Sequence, residues 1–185
     1  MNSKKKAVIL IISGPSGAGK TTLSNALIAS VPCTVIATSH TTRKPRPGET
    51  NGVEYFFVSP LEFQQLVDKG EMLEYASVYD NLYGTSRESI EKPFSEGKNI
   101  ILDVDWQGAR RIKSIYPDAI SVLVMPPAEH ESKKRLISRQ QDSEKTIESR
   151  MAAYKEQMSH QDEYDYTIIN DNLQEATRQL ISILP

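Results

Sequence analysis

Residues 14–21 read GPSGAGKT, and the mostly apolar run AVILIIS (7–13) leads directly into them. The spacing G-x-x-x-x-G-K-[ST], set between an apolar run and a helix-forming stretch at 20–30, leaves few folds open. A strand buried on both faces must feed a tight glycine-rich turn, and that turn must open a helix. Backbone N–H groups converging there, at the positive end of the helix, cradle a phosphate. Lys20 then reaches the β- and γ-phosphates of a nucleotide, and the Thr21 hydroxyl faces Mg²⁺.

The rest of the chain repeats this rhythm. TVIAT (34–38), NIILDVD (99–105), AISVLVM (119–125) and YTIIN (166–170) are rich in Val and Ile and almost continuously apolar, as strands covered on both faces are. Helices are predicted over 20–30, 106–115, 129–139, 145–161 and 173–184. Alternating strands and helices imply an α/β fold, a doubly wound parallel sheet. Residues 39–98 break the pattern. They hold YFFV (55–58), a predicted helix at 60–70, the stretch EMLEYASVYD (71–80) and then Asn81 to Thr85. This segment is expected to form a small α+β lobe inserted into one domain spanning 1–185.

Composition narrows the function classes. The formal net charge of −2 argues against a dedicated nucleic-acid binder, which carries a basic face. No apolar run approaches the ~20 residues of a membrane span. The start MNSKKKAVILIIS has a basic cluster and an apolar stretch, but GPSGAGK replaces the longer apolar region and cleavage site of a signal peptide. Cys33 is the single cysteine, so there is no intramolecular disulfide and no cysteine-rich metal site. His40, His130 and His160 are scattered without ligand spacing. These features point to the cytoplasm.

A phosphate-binding loop does not name the acceptor of the phosphoryl group. No N-K-x-D-like segment follows the middle strands, which argues against a GTPase. The stretch SHTTRKPRPGETNG (39–52) sets Arg43 and Arg46 on a loop stiffened by Pro45 and Pro47. Taken alone it is a solvated surface loop. Beside a phosphate site it is a candidate clamp, because two guanidinium groups hold an anion with planar, multi-donor geometry. Ser39, Tyr55 and Tyr83 add hydroxyl donors, and Glu49 and Glu74 are available carboxylates. Guanine presents N1–H and N2–H₂ on one edge, which a carboxylate accepts as a pair. Adenine presents an acceptor at N1 and would leave that carboxylate unpaired. At the end of the third apolar run, LDVD delivers Asp103 and Asp105, two apart and expected on the same side of a strand.

GPSGAGKT (14–21), SHTTRKPRPGE (39–49), NGVEYFFV (51–58), NLYGTSRE (81–88), ILDVDWQG (101–108), RLISRQQDSE (135–144) and IINDN (168–172) together resemble the guanylate kinases, in family order and over essentially the whole chain. The resemblance implies an ATP:GMP phosphotransferase that works with Mg²⁺, with dGMP as a further acceptor. It implies a core of 1–38, 99–125 and 146–185, a GMP-binding lobe at 39–98 and a helical lid at about 126–145. Gly14, Pro15, Ser16, Gly17, Ala18, Gly19, Lys20, Thr21 and Thr22 would hold ATP phosphates, with Arg135, and Asn170 and Asp171 would line the adenine side. Ser39, Arg43, Arg46, Tyr55 and Tyr83 would hold the GMP phosphate. Glu74 and Thr85 would read guanine, with Asp103 near the exocyclic amine; Glu49 would sit near the nucleoside or hold the arginines in place.

Lys20, Arg43, Arg139 and Arg150 would carry the charge of transfer, the last two from the lid. Thr21 and one of Asp103 and Asp105 would serve the metal, through water, and which aspartate does so stays open. The implied partners are small nucleotides, with no nucleic acid and no membrane, for a monomer or homo-oligomer. Two other readings remain: a protein-binding module of the same fold without catalysis, and a P-loop kinase for another nucleoside monophosphate. The intact GPSGAGKT loop weighs against the first and the Glu74–Thr85 pair against the second.

Overall fold

A computed structural model describes residues 7–78, 80–138 and 143–185. Along the chain these form β1 (Ile9–Ser13), α1 (Lys20–Ser30), β2 (Thr34–Ile36), β3 (Ser39–Thr41), β4 (Tyr55–Phe57), α2 (Pro60–Asp68), β5 (Met72–Val78), β6 (Asn81–Ser86) and α3 (Arg87–Ser95). They continue with β7 (Asn99–Asp103), α4 (Trp106–Ile115), β8 (Ile120–Met125), α5 (Glu129–Ser138), α6 (Glu144–Ser159), a single 3₁₀ turn (Gln161–Glu163), β9 (Tyr166–Ile169) and α7 (Leu173–Ile183).

Five strands make a parallel sheet in the order β2-β7-β1-β8-β9. Strand periodicity divides its side chains between two cores. Leu10 and Ile12 join Leu23, Leu27 and Leu180 on the face covered by α1 and α7. Ile9 and Ile11 join Ile90, Leu102 and Ile112 on the face covered by α3 and α4. Both faces are therefore buried, as the unbroken apolar runs require. β1 lies at the centre, and its carboxyl end opens where the strand order reverses, the usual position for a ligand in such sheets.

The inserted segment builds a second sheet, β4-β3-β6-β5, in which β3 pairs parallel with β4 and antiparallel with β6. Ser59 caps α2 in a reciprocal pair with Glu62, with a proline at the first helical turn. Two elements here differ from the sequence expectation. Residues 39–41, read as the start of a turn-rich loop, pair as β3, because cross-strand partners outside the segment decide strand formation. Residues 87–95, for which no element is predicted, form α3 despite Pro93. Ser86 caps that helix, and burial of Ile90 against the main sheet stabilises it.

Candidate active site

The loop from β1 to α1 is shaped by contacts that exclude side chains. Gly14 has φ 143°, and a Cβ there would stand 2.1 Å from the Val124 carbonyl oxygen. Gly19 caps α1 in the left-handed region, with φ 87° and ψ 22° and no side-chain cap. The first-turn N–H groups of α1 are thus left for an anion. Behind the loop, the buried Asn170 donates from Nδ2 to the Ala18 carbonyl at 2.8 Å. Arg135 on α5 donates to the Asn170 carbonyl at 3.1 Å and to that of Gly17 at 3.4 Å. Asn170 and Arg135, expected beside ATP, therefore buttress the loop. Ala18 is fully buried, whereas Thr22 and Asp171 are exposed and stand outside the cleft lining.

Lys20 donates to the Gly14 carbonyl at 2.9 Å and lies 3.8 Å from Asp103, the last residue of β7. Asp103 borders the cleft with 34% of its side chain exposed. Partial desolvation there raises its pKa above the ordinary carboxylate value, and Lys20 opposes the rise. Asp105 corrects the expectation of two aspartates side by side on one strand. β7 ends at Asp103, and Asp105 instead caps α4, accepting from the Gly108 N–H at 2.9 Å. Of the two, Asp103 is the carboxylate held close to Lys20.

Thr21 and Asp103 thus supply hard oxygen atoms beside the phosphate loop. No cluster of three or more His, Cys, Asp or Glu occurs among the described residues. This donor set fits Mg²⁺, which takes one or two protein oxygens and fills its other positions with water and phosphate.

Across the cleft, the lobe arranges side chains in pairs. Arg43 meets Glu49 through two parallel bonds of 2.9 Å, and the Arg46 N–H adds a third at 2.6 Å. Burial favours the neutral acid, but Arg43 and Arg46 outweigh it and hold Glu49 below the usual carboxylate range. The Arg43 guanidinium stands 5.4 Å over the Tyr55 ring, whose edge-on neighbour is Tyr83, with centroids 5.9 Å apart. Burial, reinforced by the Asp103 charge, raises the Tyr55 pKa. Glu49 thus ties the Arg43 guanidinium and the Arg46 backbone together.

Glu74 is buried on β5, opposite Thr85 on β6. Burial pushes its pKa up to about 7 and the Asp105 charge adds to this, while hydrogen bonds with Thr85 pull it down. Thr85 in turn lies 3.4 Å from Ser39, hydroxyl to hydroxyl.

These groups face one cleft with two connected chambers, of about 340 and 550 Å³. Ser16, Lys20, Ser39, Tyr55, Tyr83, Asp103 and Arg150 border both. Glu74 closes the smaller chamber; Thr21, Arg43, Arg46 and Glu49 border the larger. Arg150 comes from α6, together with Ala153, Tyr154 and Gln157. Sequence reasoning missed these last three, although their spacing from Arg150 places them on the same helix face. Trp106 and Gln107, at the start of α4, were missed as well. Arg139 lies outside the described residues.

The sequence model of the family described as guanylate kinase matches residues 5–185. A guanylate kinase of Aliivibrio fischeri is 48% identical over 181 residues, which cover 97% of this chain and 87% of the relative. One from Escherichia coli O157:H7 is 45% identical over 181 residues, with the same shares covered. The crystal structure of guanylate kinase from Anaplasma phagocytophilum superposes with a TM-score of 0.80 at 31% identity, over 97% of this chain and 85% of that one.

Proposed function

The chain belongs to the guanylate kinase family and is an ATP:GMP phosphotransferase, and from that premise we propose how its residues divide the work. The observation that carries the proposal is the shared cleft. Lys20 of the phosphate loop and the buried Glu74 are walls of the same chamber, and Arg43 and Arg46 border the chamber beside it.

The Gly14–Thr21 loop holds the ATP phosphates through backbone N–H groups and the positive end of α1. Mg²⁺, held by Thr21 and Asp103, supplies charge neutralisation on the phosphate oxygens when bound. Arg43, Arg46, Ser39, Tyr55 and Tyr83 hold the GMP phosphate. Glu49 keeps Arg43 in place before GMP arrives, a support suggested by their two 2.9 Å bonds. Glu74 accepts N1–H and N2–H₂ of guanine, with Thr85 fixing its carboxylate.

An oxygen of the GMP phosphate attacks the γ-phosphorus of ATP. The new P–O bond forms as the bond to the β,γ-bridging oxygen breaks, and that electron pair leaves with ADP. The attacking oxygen is already anionic, so no strong general base is needed. Lys20 and Arg150 neutralise charge on the group in transit, and α6 brings Arg150 to the cleft. A helical lid at about 126–145, dGMP as a further acceptor and a cytoplasmic setting complete the proposal. Among the described residues no helix is long and apolar enough to cross a membrane.

The test is a panel of nucleoside monophosphates with ATP·Mg²⁺, following diphosphate formation by the natural chain and by Glu74→Gln. GMP is expected to exceed AMP and UMP by about 10³-fold or more, the range of a site built on required hydrogen bonds. Glu74→Gln should lower GMP use at least tenfold and leave the KM for ATP within about twofold. An unchanged GMP preference in that variant would place guanine recognition elsewhere.

A further inference from the structure

Gly108 is the third residue of α4, buried, and held in ordinary helical geometry with no positive φ. Glycine is a poor helix former and gives up the packing of a methyl group, so its presence needs a reason of space. The structure supplies one. A Cβ on Gly108 would stand 2.9 Å from Oε2 of Glu74, 3.3 Å from its Cδ and 2.9 Å from Cβ of Val104. The Glu74 carboxylate thus rests against bare helix backbone, with Thr85 on the neighbouring strand. Of these contacts the carboxylate is the flexible end, whereas relief at the Val104 Cβ takes a small shift of the α4 backbone. Asp105 limits escape from the helix side, because its cap fixes the Gly108 N–H at 2.9 Å.

We propose that Gly108 is a positioning residue for guanine recognition: its missing side chain is the recess that seats the Glu74 carboxylate. The inference rests on the reading that Glu74 accepts guanine. A methyl group in the recess drives the carboxylate into the chamber, toward the space of the base edge. Misplacement of a binding group by about 1 Å costs on the order of 10²-fold in rate. The loss falls on GMP and spares ATP, whose loop lies outside these contacts.

The experiment compares Gly108→Ala, Glu74→Gln and the double variant, varying GMP at saturating ATP and then the reverse. Gly108→Ala is expected to lower kcat/KM for GMP at least tenfold and leave the KM for ATP within about twofold. In the double variant the alanine should add nothing to the Glu74→Gln loss, because both act through one carboxylate. Two results overturn the proposal alone: GMP kinetics of Gly108→Ala close to natural while Glu74→Gln is impaired, or additive losses in the double variant. An unimpaired Glu74→Gln overturns the guanine reading itself, and this inference with it. Should Gly108→Ala fail to fold, Glu74→Ala/Gly108→Ala decides. Recovered folding identifies Glu74 as the obstructed group, and continued failure identifies Val104 and ends the proposal.

Discussion

The two halves of the cleft are built from different materials. On the phosphate-loop side the working surface is backbone, held by glycines that exclude side chains and by Asn170 and Arg135, which brace the loop from behind. The strand that feeds the loop, β1, lies between two apolar cores, and Ala18 of the loop joins one of them. On the lobe side the working surface is side chains, matched as Arg43–Glu49, Tyr55–Tyr83 and Glu74–Thr85, on a four-stranded sheet with little apolar core of its own. Backbone N–H groups read a phosphate without regard to what it is attached to. On the proposed assignment the side-chain pairs read the base and fix its phosphate, which would give selectivity to the lobe.

The sharpest way to break this contrast is Arg43→Ala. Arg43 lies outside both apolar cores, so its removal opens no core cavity. It strips Glu49 of two 2.9 Å bonds, however, and the melting temperature should fall by several degrees while the fold survives. Turnover should fall by about 10²–10³-fold, the scale of losing a cation from the charge-stabilising set. A coupled assay for ADP and a thermal melt on the same sample check both halves. Near-natural GMP phosphorylation by the variant would remove Arg43 from the site.

Damage on the other side should read out mainly as stability. Gly19→Ala puts a Cβ residue at φ 87°, where L residues lose about 1–2 kcal/mol. The methyl group would also come within 2.4 Å of Asn170 Nδ2. Displacing that buried amide breaks its bond to Ala18 and leaves polar groups unpaired, at about 1–3 kcal/mol. Denaturant unfolding should therefore show a loss of about 2–5 kcal/mol. Equal stability of Gly19→Ala and the natural chain would show that the loop is less constrained than its contacts imply.

The same division explains what could be read from the sequence. The phosphate loop is a local device: three glycines, a lysine and a threonine at set spacing, between an apolar run and a helix. Every requirement lies within a few residues, so the pattern alone identifies it. The five parallel strands were legible for the same reason, as burial on both faces leaves unbroken apolar runs. The lobe depends on partners far apart in sequence. Nothing near Glu74 marks it as buried, because its depth comes from β6, α4 and the capping Asp105. Without the family resemblance it was one of two available carboxylates, Glu49 being the other. Asp105 was misplaced because two aspartates, two residues apart, look alike until the end of β7 is known. Gln157 and Tyr154 carry no motif, and only α6 packed beside the loop brings them to the cleft.

The smallest expected effect, in pH, tests the side-chain half most closely. Glu74 has a pKa of about 7 against its ordinary 4.5, mainly from burial. The folded chain therefore binds a proton that the unfolded chain releases as pH rises from 4.5 to 7, and without nucleotide the stability falls over that window. At about 1.4 kcal/mol per unit the full change is on the order of 3 kcal/mol. Guanine imposes the opposite sign, since its N–H groups need the carboxylate. GMP affinity should thus be highest above pH 7 and fall about tenfold from pH 8 to pH 6. Protonation of the GMP phosphate, with a second pKa near 6, adds no more than about twofold there. Calorimetric titration with GMP across this range, on the natural chain and on Glu74→Gln, separates the contributions. The glutamine variant should keep only the twofold phosphate component in GMP affinity and lose the Glu74 share of the pH slope of stability. A tenfold dependence that survives in Glu74→Gln would assign the titration to another group and take from Glu74 its part in holding the base.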